Sequence, residues 1–215
     1  MNLPALTDTK LSVLHRQVAN EIHRRSQVAA NGHDPAAILF GNELAKRALV
    51  VAAAGNHSIL FVGPANCGKT MLRAVALDLG LVQTFEARPC PCGYRTSPNV
   101  ACRCTVKQVE RHLRKLPVAE ITVEMQYPAQ REMRTPGTTL MEMRQQIASK
   151  GNHDSLDLGE VTANLMRAAV RELNLDPDTQ RRVLTVARTI ANLDDSNTIE
   201  PSHLCEAINY RMLGR

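Results

Sequence analysis

Eight residues, Gly63-Pro64-Ala65-Asn66-Cys67-Gly68-Lys69-Thr70, satisfy the pattern G-x-x-x-x-G-K-[ST]. Each residue type in it serves phosphate chemistry. The glycines let backbone N–H groups wrap around phosphate oxygens, and the start of a following helix adds positive potential. Lys69 has the length to reach β- and γ-phosphates, and the Thr70 hydroxyl can ligate Mg²⁺. The expected nucleotide-binding set is therefore Gly63, Pro64, Ala65, Asn66, Cys67, Gly68, Lys69, Thr70 and Met71, with ATP and Mg²⁺ as cofactors. The competing explanation is a chance Gly-Lys turn. It loses to the flanks, because the apolar run Ser58-Ile59-Leu60-Phe61-Val62 precedes the loop and a helical stretch follows it.

A second cluster lies downstream. Cys90-Pro91-Cys92 and Cys102-Arg103-Cys104 are two C-x-C pairs with nine residues between them. Four thiolates, with Gly93 and Pro98 to turn the chain, can surround one Zn²⁺ tetrahedrally. Cys90, Cys92, Cys102 and Cys104 are thus expected zinc ligands. With all four positions thiolate, none is left open for water, so the site would be structural. Four reduced thiols in a loop are the alternative. Cys67 and Cys205 fit small packed residues.

Charge is concentrated around the same loop. Residues 86 to 115 carry seven Lys or Arg (Arg88, Arg95, Arg103, Lys107, Arg111, Arg114, Lys115) against Glu86 and Glu110, which equals the whole chain's net charge of +5. This patch can meet the phosphates of a nucleic acid such as DNA, offset a cluster of thiolates, or line a bound nucleotide.

An acid that could hold Mg²⁺ and polarise water is harder to find. Phosphate-loop ATPases place it at the end of a strand, commonly after four apolar residues. Between Thr70 and the cysteines, Asp78 falls in the helix after the loop, and Glu86 ends a strand interrupted by polar residues. Glu120 and Glu124 remain, in a segment whose alternation matches a solvated strand face.

The elements that must position these groups follow from periodicity and punctuation. Strands are expected at 58–62, 81–87 and 118–126. Helices are expected around Leu11, Leu14, Val18 and Ile22, then at 41–54, from the loop to about 79, and at 105–116. The segment 128–137 reads as a linker, followed by helices at about 138–149, 157–174, 177–193 and 201–212. Pro177 and Pro201 stand at first helical positions.

The 215 residues are 44% hydrophobic and 22% charged, enough to bury a core. The longest apolar run, 48 to 55, falls short of the roughly 20 residues a membrane span needs. No secretory signal is visible at 1–10, so the expectation is a cytoplasmic protein with no membrane contact. Three Phe, three Tyr and no Trp argue against a stacking surface for single strands.

Several stretches resemble the AAA+ module of magnesium-chelatase-like proteins, specifically the ComM/YifB branch. They are 41–49 (Gly-Asn-Glu-Leu-Ala-Lys-Arg-Ala-Leu), 52–57, the phosphate loop, 88–94 (Arg-Pro-Cys-Pro-Cys-Gly-Tyr), 102–105, 182–193 and 199–211. In that family the branch is linked to DNA branch migration during transformation. The resemblance implies an α/β fold, a reduced phosphate-loop AAA+ core of three layers with a C-terminal helical lid. It implies an N-terminal helical extension at 1–35, the core at 36–128 with the four-Cys loop at 88–104, and the lid at 129–215. It places Arg188 where the lid arginine senses the γ-phosphate. It also implies a homo-oligomer or a full-length AAA+ protein as partner.

The departures are as informative. About 35 residues precede the match, too few for the family's Lon-protease-like N-terminal domain. The segment that holds the family's acidic strand is reduced to a few residues, Arg88 stands where the family has its sensor asparagine, and the arginine supplied in trans is missing. The expected activity is ATP binding with weak or absent hydrolysis. The alternatives are an active ATP-dependent DNA motor and a zinc-stabilised nucleic-acid-binding module. The family's sheet order, 5-1-4-3-2, would shrink to three adjacent strands with 81–87 as a new edge.

Overall fold

The computed structural model describes residues 41–98, 100–127 and 137–211. The helix expected at 11–22 and nearly all of the linker expected at 128–137 lie outside the described residues. The chain order is α1 (Glu43–Gly55), β1 (Ile59–Val62), α2 (Lys69–Asp78), β2 (Thr84–Ala87), α3 (Val106–Leu113), β3 (Ile121–Glu124), α4 (Leu140–Ala148), α5 (Glu160–Leu173), α6 (Pro177–Leu193) and α7 (Pro201–Asn209). No helix among the described residues is long and apolar enough to cross a membrane.

The three strands form one parallel sheet in the order β2-β1-β3. This is the contiguous remnant expected from the reduced family sheet, with β2 at an edge. All four residues of β1 are buried, as a central strand covered on both faces requires. Ile59 and Phe61 point into the large core with Ile121 and Val123 from β3 and Met125 just after it. Leu60 and Val62 point the other way, into a small cluster with Ala119 packed by Ala87 and Leu116.

The large core continues through the helices. α1 contributes Leu49, Val50 and Val51, α2 contributes Leu72 and Val75, and the C-terminal helices add Met143, Met166, Val183, Ile190 and Leu204. Residues before and after 128 therefore share one apolar interior. Polar ties reinforce the seam. Arg47 on α1 pairs with Glu206 on α7 at 3.1 Å and with Asp194 after α6 at 3.4 Å, and the Thr122 N–H donates to the Tyr210 carbonyl at 2.6 Å. Capping boxes start α3 (Thr105 with Gln108) and α4 (Thr139 with Glu142), and Asp176 caps α6 through the Thr179 N–H.

Candidate functional site

The phosphate loop leaves the end of β1 held on both sides. The Met125 N–H donates to the Val62 carbonyl at 2.7 Å, and the Gly63 N–H donates to the Ala87 carbonyl at 3.2 Å. There is no room for a side chain at 63, since a Cβ would lie 2.7 Å from the Met125 carbonyl oxygen and 2.8 Å from Cys67 Sγ. Gly68 stands at φ +98°, a left-handed conformation that favours glycine, and is the N-cap of α2. No side chain caps that helix, so the N–H groups of its first turn are available to an anion.

Lys69 curls back over the loop. Its Nζ donates to the carbonyls of Gly63 at 2.7 Å and Pro64 at 2.5 Å, with Cys67 Sγ 3.7 Å away. Tyr127, which follows β3, donates its hydroxyl to the Ala65 carbonyl. Asn42 ties the start of α1 to the same region, donating to the carbonyls of Cys67 and Gln126 and accepting from the Gln126 N–H. Asn66 sits at φ +62° in the turn, and Met71 is half-buried in the first turn of α2. An uncapped helix start, the Lys69 ammonium group and the Thr70 hydroxyl thus lie together at the loop and the first turn of α2. That donor set fits the phosphates of a Mg²⁺-bound nucleotide.

An acid also meets this site, the Glu86 that the polar interruptions of its strand had argued against. Thr70 Oγ1 donates to Glu86 Oε2 at 3.0 Å, and Arg73 lies 3.6 Å from Glu86 Oε1. Glu86 is the third residue of β2, paired with Phe61, whose side chain joins the large core beneath α2. Side chains alternate along a strand, so the buried Thr84 and Glu86 share this face. The signal available in the sequence was an acid near the end of a strand on its inward period. The polar residues in Thr-Phe-Glu-Ala mask that signal.

Two other groups are not brought to the loop. Glu120, considered earlier as a substitute acid, lies before β3. It accepts from the Ser58 N–H at 3.0 Å and faces His57 Nδ1 at 3.5 Å. It therefore sits at the start of the sheet, a strand length of roughly 10 Å or more from the loop at its other end. Arg188, expected to sense the γ-phosphate, is 5% exposed. Its guanidinium donates to Asn192 Oδ1 at 3.1 Å, the Asn197 carbonyl at 3.0 Å and the Ser196 carbonyl, bracing the turn after α6. Its neighbour Thr189 bonds His57 at 2.8 Å, which places that stretch of α6 near the start of β1. Glu124, paired with Val62 at the loop end of β3, is exposed.

The four cysteines do come together. The sulfurs of Cys90, Cys92, Cys102 and Cys104 all lie within 4.8 Å of one another, and those of Cys90, Cys92 and Cys102 are separated by 3.4 to 3.6 Å. A tetrahedral tetrathiolate centre with metal–sulfur bonds of about 2.3 Å has sulfur–sulfur edges of about 3.8 Å. The spacing fits a metal and is far too long for a disulfide. Backbone N–H groups of Arg95 and Cys104 point at Cys90 and Cys102, each at 3.4 Å. The backbone around Tyr94 helps hold the Cys92 thiol down at about 6. At Cys104 the Cys92 backbone favours the thiolate, but desolvation and the crowding sulfurs push it up to about 12. Four thiols this close cannot all ionise unless a cation joins them. Cys67 is buried beside Lys69 and Cys205 is exposed on α7; neither belongs to the cluster. Arg88 lies across Gly93, its Cδ 3.1 Å from where a Cβ would stand.

Comparison with known proteins agrees with this layout. A family model described as magnesium chelatase, subunit ChlI, matches residues 36–88, and one described as magnesium chelatase, subunit ChlI C-terminal, matches residues 120–211. The cysteine loop and α3 fall between the two matches. Competence protein ComM of Haemophilus influenzae is 46% identical over 57 residues, which is 26% of this chain and 11% of that protein. The match thus spans about a tenth of the length of that curated relative. With both family models in chain order on a reduced phosphate-loop core and its helical follower, this chain belongs to the magnesium-chelatase-like family and is related to ComM.

Proposed function

We propose that the chain binds ATP with Mg²⁺ at the loop 63–71, turns it over slowly or not at all, and acts as a nucleotide-gated scaffold. The observation that carries this reading is the uncapped start of α2 with Lys69 folded over the loop carbonyls. Slow turnover is inferred because Arg188 braces the turn after α6 and Glu120 lies at the other end of the sheet. Thr70 would help hold Mg²⁺, which would offset the charge of the phosphates. Zn²⁺ in the four-cysteine loop would be structural, fixing the chain between β2 and α3.

Equilibrium binding of Mg-ATP and phosphate release, measured together on the parent chain and Lys69→Ala, test the proposal. Saturable binding that Lys69→Ala abolishes, with little release, is the expected result. Steady release lost in Lys69→Ala would instead make the chain an active ATPase, compatible with an ATP-dependent DNA motor.

DNA is the second reading, and a specific observation favours it. Arg88, Arg95, Arg103, Lys107, Arg111, Arg114 and Lys115 are all exposed, and among the described residues none forms an ion pair. Duplex DNA should then bind with an affinity that falls steeply with salt, and Arg111→Glu should weaken it. Binding insensitive to both would remove DNA from the account.

A further inference from the structure

We propose that Glu86 is the carboxylate that holds the nucleotide's Mg²⁺ beside Thr70, a task for which no separate strand stands between α2 and β2. The inference rests on the nucleotide-binding reading above and deepens it.

Position is the first argument. α2 ends at Asp78 and β2 begins at Thr84, so only five residues join them and no strand intervenes. β2 lies directly against β1, and its Glu86, in register with Phe61, emerges on the face that carries α2. An acid arriving from the adjacent strand therefore reaches the first turn of the loop helix without help from a more distant one.

Contact is the second argument. Glu86 Oε2 accepts the hydrogen of Thr70 Oγ1 at 3.0 Å, the same hydroxyl that the loop pattern assigns to the metal. A hydroxyl that donates to a carboxylate turns its lone pairs away from that carboxylate, where a cation can take them. The other carboxylate oxygen has Arg73 at 3.6 Å, a loose and exposed pairing that a cation would replace. Asp78 lies at the far end of α2 and Glu120 at the start of the sheet; Glu124 is at the loop end of β3 but alternates with the core-facing Ile121 and Val123, on the sheet face away from α2. Arg73 is the simpler explanation for Glu86, but at 3.6 Å and 56% exposed such a pair contributes little.

The role is that of a metal-positioning residue. The separate task of activating water is not assigned to it, which agrees with slow turnover.

The test is the ratio of ADP affinity with Mg²⁺ to that in buffer freed of divalent cations without a soluble chelator, measured by titration calorimetry on the full chain loaded with zinc. Residues that orient a metal's ligands are typically worth about 10- to 100-fold in metal affinity. In the parent chain Mg²⁺ should tighten ADP at least about tenfold, and Glu86→Gln should bring the ratio close to one. Glu86→Asp should recover part of it. Arg73→Met should keep the parent's ratio, because the ion pair is not the function. A Glu86→Gln chain that retains the parent's ratio overturns the proposal, as does an Arg73→Met chain that loses it to the same extent. Should Glu86→Gln not fold, as judged by its zinc content and unfolding midpoint, the Glu86→Asp and Arg73→Met ratios decide. ADP binding that ignores Mg²⁺ in the parent chain refutes the role of Glu86 alone, whereas no ADP binding under either condition refutes the nucleotide reading as well.

Discussion

Cys92 and Cys104 show how much of the site's chemistry is decided atom by atom. The two thiols stand in one cluster, yet backbone N–H groups hold one near 6 while its neighbours drive the other to about 12. The cluster without metal thus keeps protons that a tetrathiolate centre must give up. Metal loading should release protons, and the chain should compete better against a chelator as pH rises. Replacing the fully buried Cys90 with Ser should abolish stoichiometric zinc and lower the unfolding midpoint; zinc content by emission spectroscopy, read beside a melt, checks both. An unchanged zinc content in that variant would mean that these four sulfurs are not the ligands. The cysteines and the phosphate loop were legible in the sequence because their meaning is local, a spacing of a few residues. Glu86 and Arg188 were not. The meaning of Glu86 comes from β2 lying beneath α2, and that of Arg188 from the carbonyls that the turn after α6 aims at it.

The elements themselves were mostly readable. α6 spans the expected 177–193, and the apolar period and proline starts placed the other C-terminal helices to within a few residues. The strands were read too long, as 81–87 against Thr84–Ala87 and 118–126 against Ile121–Glu124. In both cases the apolar flank is buried beyond the paired residues, as with Leu81, Ala119 and Met125. No periodicity could reveal the polar seam that joins α1, β1, β3 and α6. There His57 bonds Thr189 and faces Glu120, and Gly55 leaves the room, since a Cβ on it would lie 2.2 Å from His57 Nε2. Burial holds the His57 imidazole below its ordinary 6.5, outweighing the pull of Glu120, and Lys150 adds to the depression. The unfolded chain therefore takes up a proton before the native one does. Stability from this group is complete above about 6.5 and is lost as pH falls below it, by about 1.4 kcal/mol for each unit of depression. Urea midpoints measured from about pH 8 to about pH 5 should fall less steeply in His57→Gln than in the parent. Parallel slopes would show that His57 is not the titrating group.

At the scale of the molecule, the described residues form a sheet of three short parallel strands with β1 between two partners. Three short strands cannot enclose a core unaided, and the C-terminal helices complete it, through the shared apolar interior and the Arg47 clamp to Asp194 and Glu206. The loop's geometry is therefore coupled to the whole fold, and a ligand there should stabilise all of it. Whatever binds the native state alone raises stability by about 2.7 kcal/mol at roughly a hundredfold excess over its dissociation constant. The most direct test of the central claim is the urea unfolding midpoint of the full chain as Mg-ATP is raised, with Lys69→Ala alongside. A midpoint that climbs with the logarithm of nucleotide concentration in the parent and stays flat in Lys69→Ala is the predicted result. A parent midpoint unmoved up to millimolar Mg-ATP would contradict it, and the loop would then be a structural relic beside a working cysteine site.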